Sequence, residues 1–356
     1  MITVYCSLAL LLASCASLVP PVPASTPAGL YVYRLDPPAL LQLADDHGSV
    51  ASEIPLPPPG GCSASEFHPS PRGDRLALEY ACQNGPLSVL VSLSDGAPRP
   101  LIDDPAVDSH FLAWAADGRS VYLRIDSLNN PRIQRVDVKT LKPADIPIDP
   151  YTYDLAPAPD GKHILFSISH GIGLGSETWL ARADGRGAKL LFSDPQGITG
   201  YARWSPDGTQ IAFIKIPDSQ TPYSIGELSL VEADGSNPRK LSDADAGHGY
   251  APAWSPDGQR LAFVVRSNPD DPHADGSLDA LVSNIAIVEV SSGTVSQVTH
   301  FTRGRAETPI WSPDGNSLQF NTVLDGRMEV QSADLRAGTS SPVLQEAVCC
   351  PVWMRK

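Results

Sequence analysis

The sequence predicts an all-β chain folded as a β-propeller, on three observations. The pentapeptide Trp-Ser-Pro-Asp-Gly begins at Trp204, Trp254 and Trp311, and each copy leads into a short alternating run: Ile211-Ala212-Phe213, Leu261-Ala262-Phe263 and Leu318-Gln319-Phe320. Weaker copies upstream, ending on Gly73, Gly118 and Gly161, extend the series at intervals of 43 to 57 residues. A strand-and-turn period of this size marks propeller blades rather than a helical solenoid. The composition agrees, since 35 prolines and 28 glycines among 356 residues favour many turns over long helices.

The pentapeptide reads as a hairpin tip. Proline presets the backbone for the first central position of a type I turn, aspartate caps it, and glycine takes the left-handed position that closes a bulged hairpin. The tryptophan ends the incoming strand and is expected to pack between neighbouring blades, because it repeats with the fold unit. By the same reasoning Asp207, Asp257 and Asp314 are turn formers rather than catalytic acids.

From the N-terminus, residues 1–15 read as an export signal, since the apolar run Leu8-Ala9-Leu10-Leu11-Leu12 is too soon followed by prolines to span a membrane. Leu12-Ala13-Ser14-Cys15 resembles the lipobox of bacterial lipoproteins, which implies cleavage before Cys15 and acylation of that cysteine. No Lys or Arg precedes Arg34, which leaves an ordinary secretory peptide open. Residues 16–29, rich in Pro, Ser, Thr and Ala, read as a tether, and residues 30–356 as the propeller. A net charge of -14 without any basic run excludes nucleic acid as a partner and leaves lipid as the only membrane contact.

Four cysteines remain for the folded part. Cys62 and Cys82 flank a turn at Arg72, so a hairpin there would set them opposite each other. Cys349 and Cys350 would then form a vicinal disulfide or remain thiols, and a long bridge from that pair to Cys62 is the alternative.

Each repeat also carries a second half, as in residues 178–185 and 189–192, giving four strands per unit. Leu30 to Leu35 and Leu40 to Leu43 match the second half of a unit, and Pro351-Val352-Trp353 its incoming strand. The prediction is therefore six whole blades and a seventh shared by the two termini, with a six-bladed ring as alternative. The fifth unit holds an acidic insert, residues 268–277, expected as a solvated loop. Asp271, Asp275 and Asp279 within and beside it are weak candidates for calcium; no other cofactor is expected.

The units beginning at Trp204, Trp254 and Trp311, with their Ile/Leu-x-Phe continuation and Ala-Asp-Gly-like turns, resemble the propeller repeats of the TolB family and of propellers attached to prolyl oligopeptidases. The resemblance covers about residues 60–345 and implies the fold; it implies little about function. A minority of such propellers are lyases acting on acidic sugars, with histidines and a metal near the ring centre. His68, His110 and His248, with Glu66 or Glu307, are the residues that such a site would use here.

Enzyme signatures are otherwise absent: Gly173-Leu174-Gly175-Ser176 has the wrong spacing for a nucleophile elbow, and there is no His-Glu-x-x-His, P-loop or zinc-spaced Cys/His set. The segments leading into the first strand of each blade carry His110, Tyr151, Tyr153, Tyr201, His248, Tyr250, Arg305 and Glu307, a composition suited to recognition at one mouth of the channel. The sequence thus predicts an exported, lipid-anchored, monomeric propeller that binds an envelope protein, peptide or glycan. The alternative is a secreted hydrolase or polysaccharide lyase with a metal in the channel.

Overall fold

The computed structural model describes residues 29–354 apart from 45–47, 94–95, 105–106, 172–173, 218, 220, 222, 246–249 and 345–346. The signal segment, Cys15, most of the tether and His248 lie outside the described residues. Seven four-stranded antiparallel sheets form the blades of a propeller. Six are built from consecutive strands, from Cys62–Pro69, Arg75–Cys82, Gly85–Ser92 and Pro98–Pro100 in the first to Arg305–Trp311, Ser317–Leu324, Arg327–Asp334 and Thr339–Pro342 in the sixth.

The seventh blade joins the termini, as expected. Val348–Met354 is its innermost strand and pairs with Gly29–Arg34, which is followed by Ala39–Leu43 and Val50–Pro55. The division is one strand from the C-terminal end and three from the N-terminal end, so the two N-terminal strands read from the sequence are second and third in the blade. The outer strand, Val50–Pro55, is not legible beforehand because only Ile54 among its six residues is buried, which leaves no apolar alternation to detect.

The repeated turns are built as their chemistry dictates. In all six tips the turn glycine has φ between +64° and +73°, the left-handed region that costs glycine alone nothing. Gly208 N–H donates to the Ser205 carbonyl at 2.9 Å, and the same bond recurs at Gly258 and Gly315. Ser205, Ser255 and Ser312 are buried under their turns, and each hydroxyl donates to the aspartate two residues on. Those hydrogen bonds hold the carboxyls of Asp207, Asp257 and Asp314 below the usual carboxylate range, Asp314 at about 2.

A pH dependence follows. An unfolded aspartate titrates near about 3.9, above these folded values, so the turns contribute fully at neutral pH and lose their contribution as pH falls toward the folded pKa, which is about 2 for Asp314. Replacing Asp207, Asp257 and Asp314 together with Asn is expected to flatten the acid arm of the Tm-against-pH curve, measured by circular dichroism. An acid arm with unchanged slope would contradict this assignment.

The tryptophans stitch blades together. The indole N–H of Trp204 donates to the Ala156 carbonyl, that of Trp254 to Arg203, that of Trp311 to Ala253 and that of Trp114 to His68, each acceptor on the innermost strand of the preceding blade. The core likewise lies between blades. Leu76, Leu78, Val89 and Val91 of the first sheet pack on Tyr31, Tyr33 and Leu40 of the seventh, and the other interfaces follow the same plan.

Candidate functional site

The innermost strands ring the channel and pair with only one neighbour, so each turns an open edge toward the axis. In six of the seven blades this strand breaks register with its partner a few residues before the turn. Such bulges re-aim side chains next to functional sites. Three of them hold a non-glycine residue in the left-handed region: Tyr201 at φ +59°, Thr308 at +49° and Cys350 at +61°. All three stand three positions before their blade's tryptophan, at Trp204, Trp311 and Trp353.

Where the sixth, seventh and first blades meet, the innermost strands enclose a cavity of about 800 Å³, within the range of small-molecule sites. Its walls come from Ala64 to Pro69, Thr308 to Trp311 and Cys349 to Trp353, with Tyr250, Met328 and Leu35 toward the mouth on the side away from the repeated turns. Asn321 fixes two of these walls to each other. Its carbonyl oxygen accepts from Cys350 N–H at 2.8 Å, and its amide donates to the Thr308 hydroxyl at 2.8 Å.

Both cysteine pairs border this region. Cys62 and Cys82 face each other across the first hairpin and are bonded, and Cys349 and Cys350 form a vicinal disulfide in the chamber wall. Glu66 stands in the chamber with its carboxylate 3.1 Å from His68 Nε2. That hydrogen bond, with the nearby His68 and His110 rings, lowers its pKa against the effect of burial.

The mouth residues singled out from the sequence take different places. Tyr250 lines the chamber; burial and the adjacent Glu307 carboxylate push its phenol pKa strongly upward. Arg305 and Glu307 are both buried and joined at 2.8 Å, and Arg305 also donates to the Leu278 carbonyl of the insert. They shape the mouth from beneath instead of presenting charge on it. Tyr153 donates to the Thr199 carbonyl of the next blade, which commits its hydroxyl to packing. Tyr201 is half-buried against the fourth- and fifth-blade core. Beneath it Asp154 accepts from Ala202 N–H at 2.9 Å and pairs with Arg203 at 3.0 Å.

Tyr151 is 69% exposed and borders a separate hollow of about 620 Å³ with Asp108, Arg124, Asp126 and Leu128. His110 sits between Glu79 and Asp126, at 3.6 and 3.3 Å. Each described channel histidine is thus paired with carboxylates on its own or the neighbouring blade. Among the described residues no group of three His, Cys, Asp or Glu side chains is placed to hold a metal ion.

The insert is largely exposed, as expected, but it is not an irregular loop. It forms a short helix, Pro272–Gly276, capped by the Asp271 side chain, and a 3-10 turn, Leu278–Ala280, with Ala274 fully buried. Arg266 binds Asp275 at 2.6 Å and the Tyr223 carbonyl at 2.6 Å, fastening the insert to the fourth and fifth blades. Of the calcium candidates, Asp271 serves as a helix cap and Asp275 as an arginine partner, while Asp279 lies in the 3-10 turn.

No protein-family model matches the sequence, and no protein of curated function does. Solved structures do. An oligogalacturonate lyase in complex with manganese is 14% identical, with 90% of this chain and 85% of that one covered at a TM-score of 0.59. A prolyl endopeptidase structure is 13% identical at a TM-score of 0.58, with 81% of this chain covering 43% of that one. TolB from Acinetobacter baumannii is 18% identical, with 93% and 81% covered at a TM-score of 0.51. Identities this low carry the architecture and nothing finer: the chain is a seven-bladed β-propeller whose fold is similar to the propellers of TolB structures.

Proposed function

We propose that this protein is an extracytoplasmic binding module that captures part of an envelope protein, peptide or glycan in the chamber between its sixth, seventh and first blades. The observation that carries the reading is the chamber itself: about 800 Å³ of concave space walled by aromatic and sulfur side chains with few polar groups. Recognition sites have this make-up, apolar area for affinity and sparse polar groups for orientation. The open edges of the innermost strands add backbone donors and acceptors along its depth. Two disulfides in the described part favour an oxidising compartment, and with the Cys15 lipobox they support an exported, lipid-anchored protein.

The lyase alternative finds less support. Holding an acidic sugar calls for cationic side chains, and no Lys or Arg is among the described residues that line the chamber. His68 and His110, the described members of the histidine set, are each engaged with carboxylates.

The test is to identify what co-purifies with the processed protein extracted from membranes and to compare the variant Ser65→Trp. Ser65 is exposed at a bulge in the chamber wall, so an indole there fills space and gives up one exposed hydrogen bond, from the Ser65 hydroxyl to the Glu79 carbonyl, without touching the core. Filling a concave site should lower ligand retention about tenfold or more, with Tm unchanged. Undiminished retention by a folded Ser65→Trp protein would remove the chamber from consideration.

A further inference from the structure

The chamber's charge selects among ligands. Glu66 is the one Asp, Glu, Lys or Arg among its described lining residues. Its side chain is 57% exposed and lines the chamber. His68 engages Oε2, and no described protein group donates a hydrogen bond to Oε1. The same chamber is lined by Phe67, Tyr250 and Trp353, together with the Cys349–Cys350 disulfide and the Met328 thioether. Aromatic faces carry negative electrostatic potential, and a cation among them is attracted without needing hydrogen-bond donors from the wall. The carboxylate has His68 as its hydrogen-bond partner and no Lys or Arg among the described residues of the chamber wall. An anionic ligand would be repelled, and a neutral one would leave that charge uncompensated.

We propose that the chamber takes an organic ammonium group on an apolar frame, with Glu66 as its counter-ion and the aromatic and sulfur walls as its socket. The inference rests on the chamber being the binding site and adds the chemical class of what enters it. The free Oε1 approaches the cation, while the hydrogen bond from His68 to Oε2 fixes the carboxylate's direction. The Asn321 bonds to Cys350 and Thr308 keep the opposite wall in place, so the socket exists before the ligand arrives and little ordering accompanies binding.

The experiment titrates the full chain with choline, with ethanolamine and with 3,3-dimethyl-1-butanol, the uncharged carbon counterpart of choline, followed by calorimetry and by tryptophan fluorescence. Choline and ethanolamine separate a quaternary from a primary ammonium as the preferred source. The expected result is saturable binding of at least one cation and about tenfold weaker binding of the alcohol, tenfold being the usual scale of a lost charge partner. Glu66→Gln should abolish that difference without lowering Tm, and Glu66→Asp should retain part of it. Equal affinity for choline and its uncharged counterpart overturns the proposal, as does cation binding untouched by Glu66→Gln, or no binding of either cation. The binding-site reading fails separately: it falls if Ser65→Trp leaves every titration and the co-purifying ligand unchanged, and it stands if Ser65→Trp blocks the alcohol and the cations equally.

Discussion

A chain ending before Val348 should lose its cooperative unfolding transition. Val348–Met354 is the innermost strand of the seventh blade and its only strand from the C-terminal end. Val348, Val352 and Met354 are buried at 0%, 8% and 2% exposure. At about 1.5–3 kcal/mol for each buried side chain of this size, their loss removes roughly 5–9 kcal/mol, comparable to the whole stability of an ordinary domain. The deletion also bares the edge of Gly29–Arg34 and removes the acceptor-donor link from Cys350 to Asn321. The expected product is an open ring that binds apolar dye, aggregates and melts broadly, and a synthetic peptide of residues 348–354 added in trans should restore part of the transition. A truncated protein that unfolds cooperatively within a few degrees of the full chain would show that closure contributes little.

Arg266→Met is the single substitution expected to cost most. The guanidinium is buried, binds Asp275 and the Tyr223 carbonyl at 2.6 Å each, and lies 3.8 Å from the equally buried Asp245. Removing the cation leaves the Asp245 carboxylate in a low-dielectric site without the Arg266 charge beside it, a change that costs about 3–5 kcal/mol. Urea denaturation should register it as a fall in midpoint. The double variant Arg266→Met/Asp245→Leu should recover part of the loss, since an apolar pair avoids burying a carboxylate without the Arg266 charge beside it. If the single variant shifts the midpoint no more than an exposed substitution does, the pair is not the anchor that its burial indicates. The same variant frees the insert, whose Leu278 carbonyl holds Arg305, and so loosens the chamber mouth near Tyr250.

The parts legible in the sequence are those determined by neighbours in the chain. Ser-Pro-Asp-Gly specifies its turn within four residues, and the tryptophan that precedes it always finds the same carbonyl because every blade is offset from the last by the same rotation. Cys62 and Cys82 were legible for the same reason, being symmetric about a turn. The insert was not, because what orders it is Arg266, the last residue of a strand whose preceding residues, Leu261 to Val265, are apolar. Nothing local marks that arginine as an anchor.

The chamber was hidden for a further reason. Glu66 and the Cys349–Cys350 pair are far apart in sequence and become neighbours only when the ring closes. Each was visible alone, Glu66 as a companion for histidines and the cysteines as a disulfide question, but no periodicity links them. Tyr153 errs in the opposite sense. From the sequence it counts among the recognition residues of the mouth, whereas in the fold its hydroxyl donates to the Thr199 carbonyl of the next blade.

The vicinal disulfide gives the chamber a chemical history. Oxidation converts two adjacent thiols into a small rigid ring set in the wall beside Trp353 and held by Asn321. A chain that has acquired its seven sheets but still carries those thiols would have the same outline and a different inner surface, with two polarisable, rotatable groups where the finished protein has one fixed one. Closing or opening that one bond would therefore alter the chamber surface while leaving the seven sheets as they are.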